Sequence, residues 1–390
     1  MIDPSGAIEW LVAGARSAPE SHQVLEELCQ RLCACGIQLW RGEVFIRTLH
    51  PQVRGRHFQW TAGSGPKVTP VPFEWLEIEE FKQHPIARVC ADGTPVRIKP
   101  GEGDSIDGLV LRQVFEAGAT EFLAAPLLFS NGEIHAAAWT TRQPGGFTVA
   151  ESSALEAILP ALARVGEVRA LRRTAANLLD TYLGNQSGTR ILAGQIRRGD
   201  VQSIHAAIWL SDLRGFTTLT DRLPPRKLID LLNRYFDCQV SAIRKSNGEV
   251  LKFMGDGLLA MFPIRENNAD ARPVCTLALK AALEARRNVA NCNCADLADT
   301  IGPIRFGLAL HVGEVLYGNI GGGDRLDFTC IGPAVNLAAR LEKLAAAQQR
   351  SIVTSEIFAQ HCECGLNQIG EFPIRGLDAQ QTVFGLSDET

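Results

Sequence analysis

Gly248-Glu249-Val250-Leu251-Lys252-Phe253-Met254-Gly255-Asp256-Gly257-Leu258-Leu259-Ala260-Met261-Phe262 is the stretch on which the fold of this chain turns. Two apolar runs flank Gly-Asp-Gly, which predicts strands over 248–253 and 257–262 joined by a tight hairpin. Upstream, Asn247-Gly248 closes a helical pattern over 224–245, and a strand-like run covers 205–211. Downstream, 270–289 reads as a helix and 303–311 as a strand. The order is βαββαβ, the plan of a ferredoxin-like palm in an α+β fold. The pattern continues with strands over 314–320 and 326–330, a helix over 333–347, a strand over 352–354, a short helix and a hairpin over 368–386.

A second motif lies upstream of the hairpin. Ser211-Asp212-Leu213-Arg214-Gly215-Phe216-Thr217 follows the apolar run Ala206-Ala207-Ile208-Trp209-Leu210. Asp212 and Asp256 thus both sit where a strand gives way to glycine, and glycine permits tight turns and close backbone approach. Alone, either aspartate reads as a turn residue. Together they place two carboxylates at a sheet edge, a donor set suited to a hard cation such as Mg²⁺ with substrate phosphates. A pair of such ions can clamp the attacking and leaving oxygens of a phosphoryl displacement.

The 390 residues suffice for two domains, and the net charge of −4 provides no broad basic field, which argues against nucleic acid as a partner. No run of about 18 apolar residues predicts a membrane span. The start, Met1-Ile2-Asp3-Pro4-Ser5-Gly6, lacks the basic and apolar regions of a signal peptide. Eleven scattered cysteines point to reduced thiols in a cytoplasmic protein. The pairs Cys33/Cys35, Cys292/Cys294 and Cys362/Cys364 are spaced more tightly than zinc ligands, and packed thiols are the expected outcome.

The first half predicts a helix over 19–35, with Val24, Leu25, Leu28, Leu32 and Cys35 on one stripe. Strand-like runs follow over Ile37–Trp40, Val44–Leu49 and His57–Thr61, then helical stretches over His84–Ala91 and Asp104–Ala119. Glu121–Leu128 and Ile134–Thr141 form an expected hairpin around Ser130-Asn131-Gly132. A long helix begins near Ala150. This order over about 20–165 resembles a GAF-type sensor domain, an α/β fold, which implies a small-molecule ligand or a dimerisation role. From Leu155 the apolar positions Ile158, Leu162, Val165, Val168 or Leu171, Ala175, Leu178 and Tyr182 approximate a heptad seam. It reads either as a signalling helix of a dimer or as the last helix of the first domain. Leu183-Gly184-Asn185-Gln186-Ser187-Gly188 breaks that pattern, and 190–199 reads as a basic connector. The expected organisation is a sensor domain over 1–165, a signalling helix and linker over 150–200, and a catalytic domain over 203–386.

Residues 203–386 resemble the catalytic domain of class III nucleotidyl cyclases, most closely adenylate cyclases. The resemblance rests on the two aspartate motifs together with Phe328-Thr329-Cys330-Ile331-Gly332, Val335-Asn336-Leu337-Ala338-Ala339-Arg340 and Phe372-Pro373-Ile374-Arg375-Gly376-Leu377. It implies that Asp212, Asp256 and the Leu213 carbonyl hold two Mg²⁺ or Mn²⁺ ions. Phe216 and Thr217 are carried over as substrate-binding positions. Lys252 and Thr329 take the base-reading positions, where guanylate cyclases carry Glu and Cys. A Lys donates to adenine N1 and a Thr hydroxyl accepts from the N6 amine, so the pair favours ATP. Cys330 stands one place too late to take the reader's role. Asn336 is implied to orient the ribose, and Arg340 to stabilise charge on the transferring phosphate. Arg375 stands where a Lys usually grips the terminal phosphates, and keeps the charge with a bidentate fork.

Two positions depart from the family pattern. Glu314 stands where some members have a phosphate-facing Arg, which leaves that task to Arg340 and Arg375. Pro333 replaces a common Asp and suits the first turn of a helix. Family members form each active site between two catalytic domains, so a chain with one such domain is expected to be a homodimer. The reading is an adenylate cyclase that makes 3′,5′-cyclic AMP and pyrophosphate from ATP. Its alternatives are a guanylate or dual-specificity cyclase and a catalytically inactive nucleotide-binding regulator. A diguanylate cyclase shares the palm, but its Gly-Gly-acidic-acidic-Phe signature is missing.

Overall fold

The computed structural model describes residues 2–76, 78–100, 109–264, 271–292, 302–323, 325–362, 365–377 and 379–389. The chain divides into two units, Met1–Leu178 and Leu179–Thr390. Among the described residues no helix is long and apolar enough to cross a membrane.

The first unit opens with α1 (Ser5–Val12) and α2 (Ser21–Ala34). Next come β1 (Arg41–Arg47), β2 (Val53–Thr61), β3 (Gly65–Pro72), a 3₁₀ turn, α3 (Glu79–Lys82), α4 (Pro85–Asp92), β4 (Val96–Ile98) and α5 (Leu109–Glu116). The hairpin β5 (Glu121–Leu128) and β6 (Ile134–Thr141) then leads into α6 (Val149–Leu183). The six strands form one sheet in the order β3-β2-β1-β6-β5-β4. Val24, Leu25, Leu28 and Leu32 of α2 and Leu155, Ile158 and Leu162 of α6 are buried with Val44 and Trp139 in one cluster. Phe45, one residue on from Val44, joins Ile86 and Val89 of α4 and Leu111 of α5 in another. The alternation along β1 thus supplies both faces.

Several expectations need correction. Ile37–Trp40 is not a strand; Ile37 and Leu39 are apolar because this connector is buried at 1% and 6% exposure. β3 was not expected, since Pro66, Pro70 and Pro72 suppress a strand pattern, yet an edge strand tolerates them. α1 and the three-residue β4 were also not expected. Of the helix expected over 104–119, α5 accounts for Leu109–Glu116, and 104–108 lies outside the described residues. Helix α6 is continuous through Pro160. Its seam divides in two: Leu155 to Val165 is buried, whereas Val168, Leu171 and Tyr182 are exposed at 56%, 61% and 78%.

The second unit carries α7 (Asn185–Leu192), β7 (Val201–Leu213), α8 (Phe216–Arg222), α9 (Pro225–Lys245), β8 (Glu249–Met254), β9 (Gly257–Ile264) and α10 (Ala271–Ala290). After these come β10 (Phe306–Gly322), β11 (Arg325–Ile331), α11 (Pro333–Ala347), β12 (Ile352–Ser355), α12 (Glu356–Gln360), β13 (Leu366–Phe372) and β14 (Gln381–Leu386). The sheet order is β13-β14-β12-β10-β7-β9-β8, with β11 paired to β10. Its antiparallel core β10-β7-β9-β8 is the arrangement that βαββαβ connectivity produces. Trp209, Tyr235, Phe262 and Phe306 pack with α9 and α10 on one face. Ala334 and Ala338 of α11 pack with Ile208 and Phe328 on the other.

Two strands expected over 303–311 and 314–320 are one, β10. Its ladder with β7 runs unbroken from Phe306↔Leu213 to Gly318↔Val201, so a long partner carries the strand past Gly313. The break expected over 183–188 is confined to Gly184, at φ +90°, and α7 replaces part of the expected connector. What anchors α7 is long-range. Ser187 donates from its backbone N–H to Glu249 Oε1 at 3.1 Å, and Tyr317 donates from its hydroxyl to Glu249 Oε2 at 3.0 Å. The ring of Tyr317 meets Phe328 edge-on at 4.9 Å.

Candidate active site

The hairpin between β8 and β9 closes with Met254↔Gly257 in register, which leaves Gly255-Asp256 as the loop. Gly255 takes φ +68°, and glycine at the first loop position is the type II′ solution. The turn points Asp256 at the end of β7. A Cβ on Gly257 would lie 3.2 Å from the Ser211 carbonyl and 3.4 Å from Asp212 Oδ1, so the hairpin backbone comes close to β7. Asp212 and Asp256 lie close enough for their carboxylates to interact. Burial, then the neighbouring Asp256 carboxylate, raise the Asp212 carboxyl to about 7, against the pull of Arg214. Two carboxylates pressed together in this way fit a divalent cation, which relieves the repulsion that otherwise holds a proton between them. Among the described residues no group of three or more His, Cys, Asp or Glu could hold a metal ion. The remaining ligands would be oxygens, from the Leu213 carbonyl or from a substrate's phosphates.

Lys252 lies on β8 next to a bulge, where the register shifts between Val250 and Lys252 and turns its side chain relative to the regular alternation. Its Nζ is 3.9 Å from Asp327 Oδ2. Thr329, two residues further along β11, is 3% exposed, and its buried Oγ1 has no hydrogen-bond partner. An orphaned buried hydroxyl costs about 1–3 kcal/mol. Cys330 is buried and burial pushes its thiol up to about 11, despite nearby Lys252.

The third group lies around α11. Asn336 is exposed and Arg340 half-buried one turn later. A Cβ on Gly376 would sit 3.2 Å from Arg340 Nη2, so the loop after β13 lets the guanidinium lie against its backbone, next to exposed Arg375. The two arginines form a phosphate-sized patch of positive charge. Glu314 is exposed on β10. Of the first motif's remaining residues, Phe216 packs against the core and Thr217 is exposed on the first turn of α8.

Sequence reasoning passed over three residues here. Asp327 needed only the period-2 rule to be placed beside Thr329. Arg214 and Glu342, whose Nη1 and Oε1 are 2.8 Å apart, are separated in sequence and no local pattern joins them. Burial raises the Glu342 carboxyl, although Arg214 opposes the shift. Of the Cys-x-Cys pairs, Cys294 and Cys364 lie outside the described residues; Cys33 donates weakly to the Leu39 carbonyl at 3.8 Å.

Comparison with known proteins bears on this half of the chain. The family profile "Adenylate and Guanylate cyclase catalytic domain" matches residues 201–387. The terminal-differentiation-specific adenylate cyclase of Dictyostelium discoideum is 30% identical over 190 residues, 49% of this chain and 8% of that protein. An adenylate cyclase of Anabaena cylindrica is 27% identical over 169 residues, 43% of this chain and 33% of that protein. The chain thus spans a minor part of the length of either relative. Among solved structures, the adenylyl cyclase CyaB from P. aeruginosa superposes with a TM-score of 0.43 at 25% identity, covering 49% of this chain and 97% of that one.

Proposed function

We propose that residues 201–387, which match the adenylate and guanylate cyclase catalytic-domain profile, form a class III nucleotidyl cyclase catalytic domain and that the chain is an adenylate cyclase converting ATP to 3′,5′-cyclic AMP and pyrophosphate. The observation that supports the reaction type is the Asp212/Asp256 pair, two carboxylates brought together where the β8–β9 hairpin backs onto the end of β7; burial and mutual repulsion raise the Asp212 carboxyl. Asp212, Asp256 and the Leu213 carbonyl would hold two Mg²⁺ or Mn²⁺ ions, which when bound acidify the ribose 3′-hydroxyl and neutralise the leaving pyrophosphate.

The chain's own residues do the rest by positioning and charge, as phosphoryl transfer requires. Lys252 donates to adenine N1. The Thr329 hydroxyl accepts from the N6 amine. Asn336 orients the ribose, and Arg340 and Arg375 take the phosphate charge. In a homodimer one protomer supplies the aspartates and its partner the base readers, Asn336 and Arg340. The first unit acts as a GAF-like ligand sensor, and the exposed apolar residues of α6 beyond Val165 pair between protomers to pass its signal on. We place the enzyme in the cytoplasm.

One observation favours a second reading, a dual-specificity cyclase. The Asp327 carboxylate beside Lys252 is an acceptor of the kind guanine N1–H and N2 amine seek. Competition between ATP and GTP decides, and Asp327→Asn then sharpens the preference for ATP.

The test is turnover by the purified chain with Mg²⁺ or Mn²⁺, products identified by mass, beside Asp256→Ala. Cyclic AMP that is lost in the variant supports the reading; cyclic GMP alone replaces it; no cyclic product with either metal sinks it. Mixing Asp256→Ala with Asn336→Ala chains restores activity if the site is shared between protomers, and two folded variants that fail to complement rule that arrangement out.

A further inference from the structure

The end of β7, which carries Asp212, is fastened to α11, which carries Asn336 and Arg340, by an ion pair with no part in the reaction described above. Arg214 extends the β7–β10 ladder one step past Leu213, its backbone N–H donating to the Arg305 carbonyl at 2.8 Å. Its Nη1 donates to Glu342 Oε1 at 2.8 Å, with the two side chains 23% and 7% exposed. The guanidinium reaches Glu342 by crossing Gly307, which stands opposite Asp212 in the ladder. A Cβ on Gly307 would overlap the guanidinium and come within 2.8 Å of Glu342 Oε1. Arg214 Nη2 is buried there without a partner. The route is therefore open only while position 307 is glycine, and one charge-assisted hydrogen bond holds it closed.

We propose that Arg214 and Glu342 are positioning residues that fix the Asp212 end of β7 against α11 and so set how well the aspartate pair accepts Mg²⁺. The proposal rests on the reading of Asp212 and Asp256 as metal ligands. Mg²⁺ demands near-ideal octahedral geometry, whereas Ca²⁺ accepts six to eight oxygens in flexible arrangements. A strand end that loses its fastening therefore loses Mg²⁺ affinity more than Ca²⁺ affinity. General loosening of the domain would lower both alike.

The experiment titrates Mg²⁺ and Ca²⁺ calorimetrically into the full chain with saturating 3′-deoxy-ATP, which lacks the attacking hydroxyl. Glu342→Gln, Arg214→Gln and Gly307→Ala each lose about tenfold in Mg²⁺ affinity, the range typical of outer-shell partners of a metal site, and under about threefold for Ca²⁺. Gly307→Ala adds less than about twofold to Arg214→Gln, because both break the same contact. Arg214→Lys keeps the charge and one donor, and recovers Mg²⁺ affinity to within about threefold of the parent. Folded variants that bind Mg²⁺ like the parent overturn the proposal. So does a parallel fall for both ions, or a folded Lys variant no better than Gln. Glu342→Gln leaves the arginine a neutral acceptor and is the mildest change, so it decides if the others do not fold. A parent chain that binds neither ion, or an Asp256→Ala chain that binds both unchanged, instead sinks the reading of the site itself.

Discussion

Glu43 in the first unit and Asp212 in the second are carboxylates set into folded interior, and they resolve that position in opposite ways. Glu43 is 3% exposed. Burial pushes its carboxyl up, but His57 and Arg41 outweigh it and hold it at about 2. Arg41 Nη2 lies 2.5 Å and His57 Nε2 3.0 Å from Glu43 Oε1, and Arg41 also reaches Gln59 at 2.9 Å. Asp212 has burial and a second carboxylate against it and rises to about 7. The first cluster meets its charge requirement within the fold. The second lacks positive charge at its centre, and an unmet requirement of this kind is the physical mark of a site that takes something up.

The comparison can be broken most decisively at Asp256. Asp256→Ala removes half of the acceptor pair, and cyclic nucleotide formation is expected to fall by about a thousandfold or more, consistent with the several kcal/mol that metal charge stabilisation supplies. A fall of under tenfold in a folded variant would mean the pair is not the catalytic centre. Glu43→Gln should act on stability. Stripping one partner from a buried ion cluster costs about 3–5 kcal/mol, read as a lower denaturant midpoint for the first unit's transition. A loss below about 1 kcal/mol would show that its partners are as well off in water.

Next in size is the response to pH, which has opposite signs in the two clusters. Glu43 has a lowered folded-state pKa, so its stabilisation is present above its ordinary value of 4.5 and is lost as pH falls through that value toward 2. Asp212 has a raised one, so its contribution is full below its ordinary 3.8 and is lost as pH rises through about 7. Bound cation replaces that proton. The rise in melting temperature on adding Mg²⁺ with 3′-deoxy-ATP is therefore expected to grow between pH 6 and pH 8, and a flat response would contradict the raised Asp212. The smallest effect is at Thr329. Thr329→Val removes the proposed acceptor for adenine N6, and kcat/KM for ATP should fall about tenfold. Stability should hold or rise by under about 1 kcal/mol, because a buried orphan hydroxyl is gone. A variant that loses stability and keeps its ATP kinetics would make Thr329 a packing residue.

Legibility in the sequence followed the range of the interactions involved. The strands of the first unit's hairpin, 121–128 and 134–141, are read from apolar runs and a Ser-Asn-Gly turn, and the structure keeps both ranges. α9 and α11 follow from periodicity with proline at their starts. β3 was hidden by its prolines, and β10 was split in two because local pattern does not register the length of its partner β7. In the site, Asp212 and Asp256 announce themselves through nearby glycines. Asp327 could have been found by alternation from Thr329, but Lys252 reaches it from β8, a strand not paired with β11 in the sheet.

The sequence by itself determined the βαββαβ order of the palm, the Gly-Asp-Gly hairpin and the identities of the residues proposed for phosphoryl transfer. These depend on side-chain periodicity and turn chemistry, which act over a few residues. The tertiary structure alone decided the raised carboxyl of Asp212, the burial of the Thr329 hydroxyl and the route of Arg214 over Gly307 to Glu342. Each of these depends on desolvation and on distances between residues far apart in the chain, which are fixed only when the strand register is fixed.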